Sequence, residues 1–147
     1  MPTGGKLMGG LLLAATAALA AFVFVFQGIS PTPLGWRFVL GNGAVGFVIG
    51  WYTPGSRPGA SAMGSVFIGI GSLVLLLIAA GVVFSSIFVF GNLERMNFRD
   101  PVDLPLLLIE TSFSYVVSTL TPQVGATLLA GGMVSGLGAY WAGRRWT

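Results

Sequence analysis

Glu110 stands inside an otherwise apolar segment and is the only acid beyond the loops of this sequence. If that segment crosses a membrane, the carboxyl lies near mid-depth, where its ionised form is costly and must be protonated, paired or hydrated. Companions are at hand in Ser112, Ser114 and Tyr115 on the same segment and in Asn42 on another, but no second acid or base stands at that depth. A proton or ion path usually needs more. Three readings stay open for Glu110: a functional carboxyl, a buried structural hydrogen bond, and a position in water on a helix lying in the interface.

Arginines supply the other candidates. Arg144-Arg145 followed by Trp146 could hold an anionic lipid headgroup or an oxyanion, with a topology anchor as the plainer reading. Gly55-Ser-Arg-Pro-Gly59 could form a backbone nest for an anion, with Arg57 adding charge, although a plain turn accounts for the same residues. The candidate functional residues are therefore Glu110, Arg57, Arg144 and Arg145. The chain has no His and no Cys, which removes imidazole bases, thiol nucleophiles and the usual zinc or haem ligands. There is no phosphate-binding loop, no nucleophile beside a base and no carboxylate pair. The expectation is a protein that is not an enzyme, with no catalytic, metal or cofactor site. Its basic residues are scattered beside apolar segments rather than interleaved with aromatics on one surface, which argues against nucleic-acid binding.

The chain that carries these residues is 54% apolar and 7% charged, with a mean hydropathy of +0.89. That composition excludes a soluble domain. From Pro58 to Leu93 there is no charged side chain, and a helix over 61–91 would be roughly 45 Å long against a hydrocarbon core of about 30 Å. The excess length implies tilt, a kink near Gly81, or a tail reaching the headgroups at Asn92, Glu94 and Arg95. A first span over 7–26 follows Lys6; it imitates a signal peptide through Ala18-Leu-Ala20, but the apolar run continues to Phe26. Pro31 and Pro33 break the chain before a shorter segment, 36–52, bounded by Trp36 and Trp51-Tyr52. A polar loop over 92–103 precedes Asp100-Pro101, a good helix start. Two further helices, 102–120 and 122–143, are divided at Thr121-Pro122. The expected fold is all-α, a polytopic transmembrane helical bundle forming one membrane domain over 1–147.

The fourth helix decides the number of spans. Asp103, Glu110, Ser114, Ser118 and Thr121 form one polar stripe, and such a helix either crosses with the stripe against its neighbours or lies in the interface with the stripe in water. Crossing is the reading preferred here, giving five membrane helices, with four spans plus one interfacial helix as the alternative. The tight Thr121-Pro122 turn predicts an antiparallel hairpin of helices four and five. Five spans put Arg37, Arg95, Arg99, Arg144 and Arg145 in the cytoplasm and the two termini on opposite sides. Four spans keep both termini inside with Lys6, Arg57, Arg144 and Arg145. The first split fits the positive-inside rule slightly better.

Small residues at four-residue spacing recur in the spans: Gly5 with Gly9, Ala14 with Ala18, Gly46 with Gly50, Ser65 with Gly69, Gly132 with Gly136. They permit close backbone approach, mainly within the bundle and alternatively between copies. The expected partners are the lipid bilayer, a larger membrane protein complex, or the chain itself through these glycine-rich faces.

Several fragments together resemble the TrgA family of alphaproteobacterial membrane proteins associated with tellurite resistance. They are Met1-Pro-Thr3 with Lys6-Leu7, Gly46 through Gly50-Trp51, Gly55-Ser-Arg-Pro-Gly59, Asp100-Pro101 with Glu110 and Tyr115, Thr127-Leu-Leu-Ala-Gly-Gly132, Gly136-Leu137 and Trp141-Ala-Gly-Arg-Arg-Trp146. The match covers nearly the whole chain. Relative to the family, this sequence is thinner in charge after Arg57, before Asp100-Pro101 and at Tyr140. What the resemblance implies is a multi-pass protein of the bacterial inner membrane linked to tellurite or oxidative stress, acting on membrane permeability or oxyanion handling without a defined reaction. The alternative expectation is an accessory or assembly subunit of a larger respiratory or photosynthetic membrane complex.

Overall fold

A computed structural model of the chain describes residues 4–26, 35–57, 61–92 and 103–146. These hold five α-helices: α1 (Gly4–Phe26), α2 (Gly35–Tyr52), α3 (Ala62–Gly91), α4 (Asp103–Thr119) and α5 (Pro122–Arg145). Among the described residues there is no strand. α1 starts at Gly4 rather than Leu7 and α5 reaches Arg145 rather than Gly143, because the terminal turns tolerate glycine and basic residues that apolar periodicity does not count. Local chemistry sets several ends. The Ser61 hydroxyl accepts from the Gly64 N–H at 3.1 Å to open α3, and Thr121 does the same for the Val124 N–H at 3.4 Å, with Pro122 beginning α5. At the end of α3 the Asn92 amide donates to the Phe88 carbonyl at 2.8 Å. Gly35 opens α2 with φ of +46°, a left-handed conformation that suits glycine. The expected Pro31/Pro33 turn and the Asp100-Pro101 helix start lie outside the described residues.

α1 is flanked by α2 on one side and α5 on the other, α5 packs on α3, and α3 carries α4. Glycines set the spacing. A Cβ on Gly50 would lie 2.3 Å from the Gly9 carbonyl oxygen, one on Gly46 would lie 2.7 Å from that of Leu13, and one on Gly5 would lie 3.2 Å from that of Ala139. Across α3 and α5, a Cβ on Gly136 would lie 2.1 Å from the Ser65 carbonyl oxygen. Ala14 and Ala18 face Gly43 and Gly46 of α2. Each small-residue pair read from the sequence thus meets a neighbouring helix of the same chain. In lipid there is no hydrophobic force to favour helix contacts over tail contacts, so dispersion at close range holds the helices together.

The registers make α1 antiparallel to α2 and to α5, and α3 antiparallel to α5. Gly4 therefore lies beside Trp146, where a Cβ on the glycine would meet the indole at 2.7 Å. The two ends of the described chain share one end of the bundle, which corrects the expectation of ends on opposite sides. The reason is local to α4. It meets α5 at a 90° bend rather than as an antiparallel hairpin, because Thr121 closes the turn at once, donating its N–H to the Thr119 carbonyl at 2.8 Å while capping α5. The short link turns the chain without leaving α4 room to lie along α5. α3 runs unbroken past Gly81, whose missing side chain instead admits α4: a Cβ there would lie 3.2 Å from Val116 and 3.3 Å from the Ser112 carbonyl oxygen.

α1 and α3 are each long and apolar enough to cross a membrane, and the bent α4–α5 pair would supply a third such segment if it acts as one span. Large apolar side chains cover the outside, among them Phe67, Ile78, Ile109 and Phe113, as expected where the surrounding solvent is hydrocarbon. Most hydroxyls within the helices are satisfied locally, while Ser135 of α5 donates across to the Gly9 carbonyl of α1 at 3.4 Å. Thr16, Ser65, Ser85 and Thr119 each donate to the carbonyl four residues earlier.

Candidate functional site

The four candidate residues do not form one site. Glu110 is exposed and faces away from the bundle, together with Ser114 and Ser118. The opposite face of α4 carries Ser112, Tyr115, Val116 and Thr119, which pack against α3 and the centre. The buried structural hydrogen bond considered for Glu110 is therefore not made. A third stripe on α4, Leu106, Ile109, Phe113 and Val117, is also exposed and wholly apolar.

Arg57 is exposed beyond the end of α2. Within the Gly55–Gly59 stretch read as a possible anion nest, the Gly55 N–H donates to the Gly50 carbonyl at 2.9 Å and the Arg57 N–H to that of Thr53 at 3.3 Å, so neither is free for an anion, while residues 58 and 59 lie outside the described residues. The segment continues as helical turns clamped on α1, with Gly55 so close to Lys6 that a Cβ would lie 2.6 Å from the lysine Cα. Lys6 and Arg57 are thereby brought to the end of the bundle where Gly4 meets Trp146.

Arg144 and Arg145 lie at that same end, on the last turn of α5, where cations also complement the helix dipole. Each is held by an aromatic ring one turn earlier. Arg144 donates Nη1–H to the Tyr140 hydroxyl at 2.7 Å with its guanidinium 5.3 Å from the ring centre, and Arg145 lies 5.0 Å from the Trp141 ring. Tyr140, Trp141, Arg144 and Arg145 enclose a shallow hollow of about 250 Å³. The described side-chain carboxylates, Asp103 and Glu110, are both on α4.

A different cluster occupies the centre, which reasoning from the sequence approached but did not assemble. Tyr115 shares hydrogen bonds with the side chains of Asn42 and Thr119, while the Asn42 amide donates to the Phe38 carbonyl at 3.0 Å. The Tyr115 ring stacks on Phe84 at 5.6 Å and meets Phe38 edge-on at 6.2 Å. Phe38, Asn42, Tyr115 and Thr119 border a cavity of about 30 Å³ whose other walls include Ala17, Ala20, Leu76 and Val124, room enough for an ordered water beside polar partners. Asn42 and Tyr115 were legible as polar groups in apolar segments, but as companions of Glu110. They pair with each other instead. Thr119 was missed, and its signal was the four-residue spacing from Tyr115 on the face opposite Glu110.

Chemically the centre offers neutral hydrogen-bonding groups, and the α1/α5 end offers exposed cations framed by aromatic rings. Among the described residues, no three of His, Cys, Asp or Glu come together as a metal site. Compared with known proteins, the chain shows no match to a family model, to a curated protein or to a solved structure.

Proposed function

We propose that the chain is a TrgA-like protein of the bacterial inner membrane that supports tellurite resistance, acting on membrane permeability or oxyanion handling rather than catalysing a reaction. The observation that carries this reading is the gathering of four of the five described cations, Lys6, Arg57, Arg144 and Arg145, at the end where Gly4 meets Trp146, with Arg37 at the opposite end, where Trp36 meets Phe22. The described residues of two resembling fragments, Gly55 to Arg57 and Trp141 to Trp146, fall on the same end. In this reading α1, α2, α3 and α5 cross the bilayer, since α2 and α5 lie along α1 and share whatever depth it spans. The positive-inside rule then puts the basic end in the cytoplasm. α4 lies in the opposite interface, its apolar stripe at Phe113 toward the acyl chains and its Glu110 stripe toward water, a division typical of interfacial helices. A bundle closed by glycine contacts around a cavity of about 30 Å³ favours action at the membrane surface over passage through the protein. Deletion is expected to lower tellurite tolerance modestly and complementation to restore it.

A second reading, an accessory or assembly subunit of a larger respiratory or photosynthetic membrane complex, draws on one observation. Between α3 and α4 runs an apolar groove of about 600 Å³ bordered by Ile78, Val82, Pro105, Ile109 and Phe113, a shape that suits a helix from another protein. Unchanged growth of the deletion strain across a tellurite series would move the weight to this reading.

A further inference from the structure

The α1/α5 groove beneath the arginines has both an apolar trough and a cationic lip. Gly138 and Ala142 form its floor on α5. Gly138 leaves a hollow into which Leu12 reaches, since a Cβ there would lie 2.2 Å from the leucine Cδ1. Met8, Leu12 and Leu137 wall it, and Trp141, Arg145 and Trp146 close its end. Its volume is about 680 Å³, within the range of sites that hold organic ligands. Trp141 and Arg145 also line the smaller hollow that contains Arg144 and Tyr140, so trough and cationic hollow adjoin across these two side chains. The indoles of Trp141 and Trp146 are 67% and 64% exposed, and such rings favour the headgroup level of a bilayer.

We propose that this groove binds one anionic phospholipid, with an acyl chain in the trough and the phosphate on the guanidinium groups of Arg144 and Arg145. The aromatic rings at Tyr140 and Trp141 hold the guanidiniums at the groove mouth, so little side-chain freedom is lost when the phosphate arrives. Arginine offers several N–H donors in a planar fork that matches phosphate oxygens, and only one of those on Arg144 is directed to Tyr140. A free oxyanion would use the cations but not the trough. A zwitterionic lipid would use the trough but gain less from the two guanidinium groups. The proposal rests on this end lying at the headgroup level and is independent of any tellurite phenotype.

The test is native mass spectrometry of the full chain purified in mild detergent, supplied with phosphatidylglycerol or phosphatidylcholine of identical acyl chains. Retention of phosphatidylglycerol should be about tenfold greater, as expected for two arginines near an anionic headgroup. The double variant Arg144→Gln/Arg145→Gln should lose that preference while keeping its helical circular dichroism, because both side chains are exposed. Met8→Trp, which fills the trough from its lipid-facing wall, should lower retention of both lipids. Inorganic phosphate in excess should not displace the bound lipid. Equal retention of the two lipids by the unaltered chain would overturn the proposal, as would a preference that survives loss of both arginines. Unchanged retention in Met8→Trp, or displacement by phosphate alone, would equally refute it, the latter pointing to a simple anion site. A deletion strain with normal tellurite growth leaves these outcomes untouched.

Discussion

Gly69 and Gly132 face each other across α3 and α5 so closely that a Cβ on Gly69 would lie 2.1 Å from the Gly132 carbonyl oxygen. The obstructing atom is backbone, so no side-chain rotation relieves it. Gly69→Ala must push the two helices apart and is expected to cost about 1–3 kcal/mol, as overpacking does elsewhere. Two residues along, Gly71 has nothing within 4 Å of the position its Cβ would take. Gly71→Ala should therefore be neutral or stabilising by up to about 1 kcal/mol, since alanine suits a helix better than glycine. Thermal denaturation of both variants in one detergent checks the contrast; equal losses would mean that the close approach is not what holds α3 to α5.

Tyr115 joins α4 to the rest of the bundle through both its ring and its hydroxyl. Tyr115→Phe keeps the stack on Phe84 and removes the hydrogen bonds to Asn42 and Thr119, and should cost about 0.5–1.5 kcal/mol. Tyr115→Ala also empties the space beside Phe84 and Phe38, with an expected loss of about 3–5 kcal/mol. A phenylalanine variant as unstable as the alanine variant would place the stability in the polar cluster rather than in the rings.

Helix positions were largely legible in the sequence because long apolar runs and Pro/Gly breaks act locally. The small-residue pairs were legible too, but not which helix each would meet: Gly50 against Gly9 and Gly69 against Gly132 depend on how separate segments assemble. The 90° corner at Thr121-Pro122 was hidden for another reason. A cap and a proline announce that one helix stops and another begins, yet carry no direction. On α4 the polar stripe drew attention to Glu110, while the inward face, with Tyr115 and Thr119, mixed aromatic and hydroxyl groups that do not stand out by hydropathy. The basic end was legible only in the four-span alternative, which already put Lys6, Arg57, Arg144 and Arg145 on one side; choosing between it and five spans needed the registers of α1, α2 and α5, which local sequence does not carry.

Glu110 provides a sharper test of the α4 surface. Because its side chain is exposed and leaves no buried partner behind, Glu110→Gln and Glu110→Leu should each change thermal stability by no more than about 0.5 kcal/mol. A loss of about 1–3 kcal/mol confined to Glu110→Leu would indicate a buried hydrogen bond after all. Normal stability with loss of the tellurite phenotype in Glu110→Gln would make the carboxyl itself functional.

The arrangement of the bundle in the bilayer is tested most directly by labelling single cysteines. The chain has no native cysteine, so Ser56→Cys, Arg144→Cys and Glu110→Cys each introduce one reactive thiol at an exposed position. With a membrane-impermeant maleimide on spheroplasts, Glu110→Cys should react at once, and Ser56→Cys and Arg144→Cys only after the inner membrane is permeabilised. Labelling of Ser56→Cys and Arg144→Cys from opposite sides would contradict the shared basic end, and a Glu110→Cys that stays unlabelled even after permeabilisation would contradict an interfacial α4.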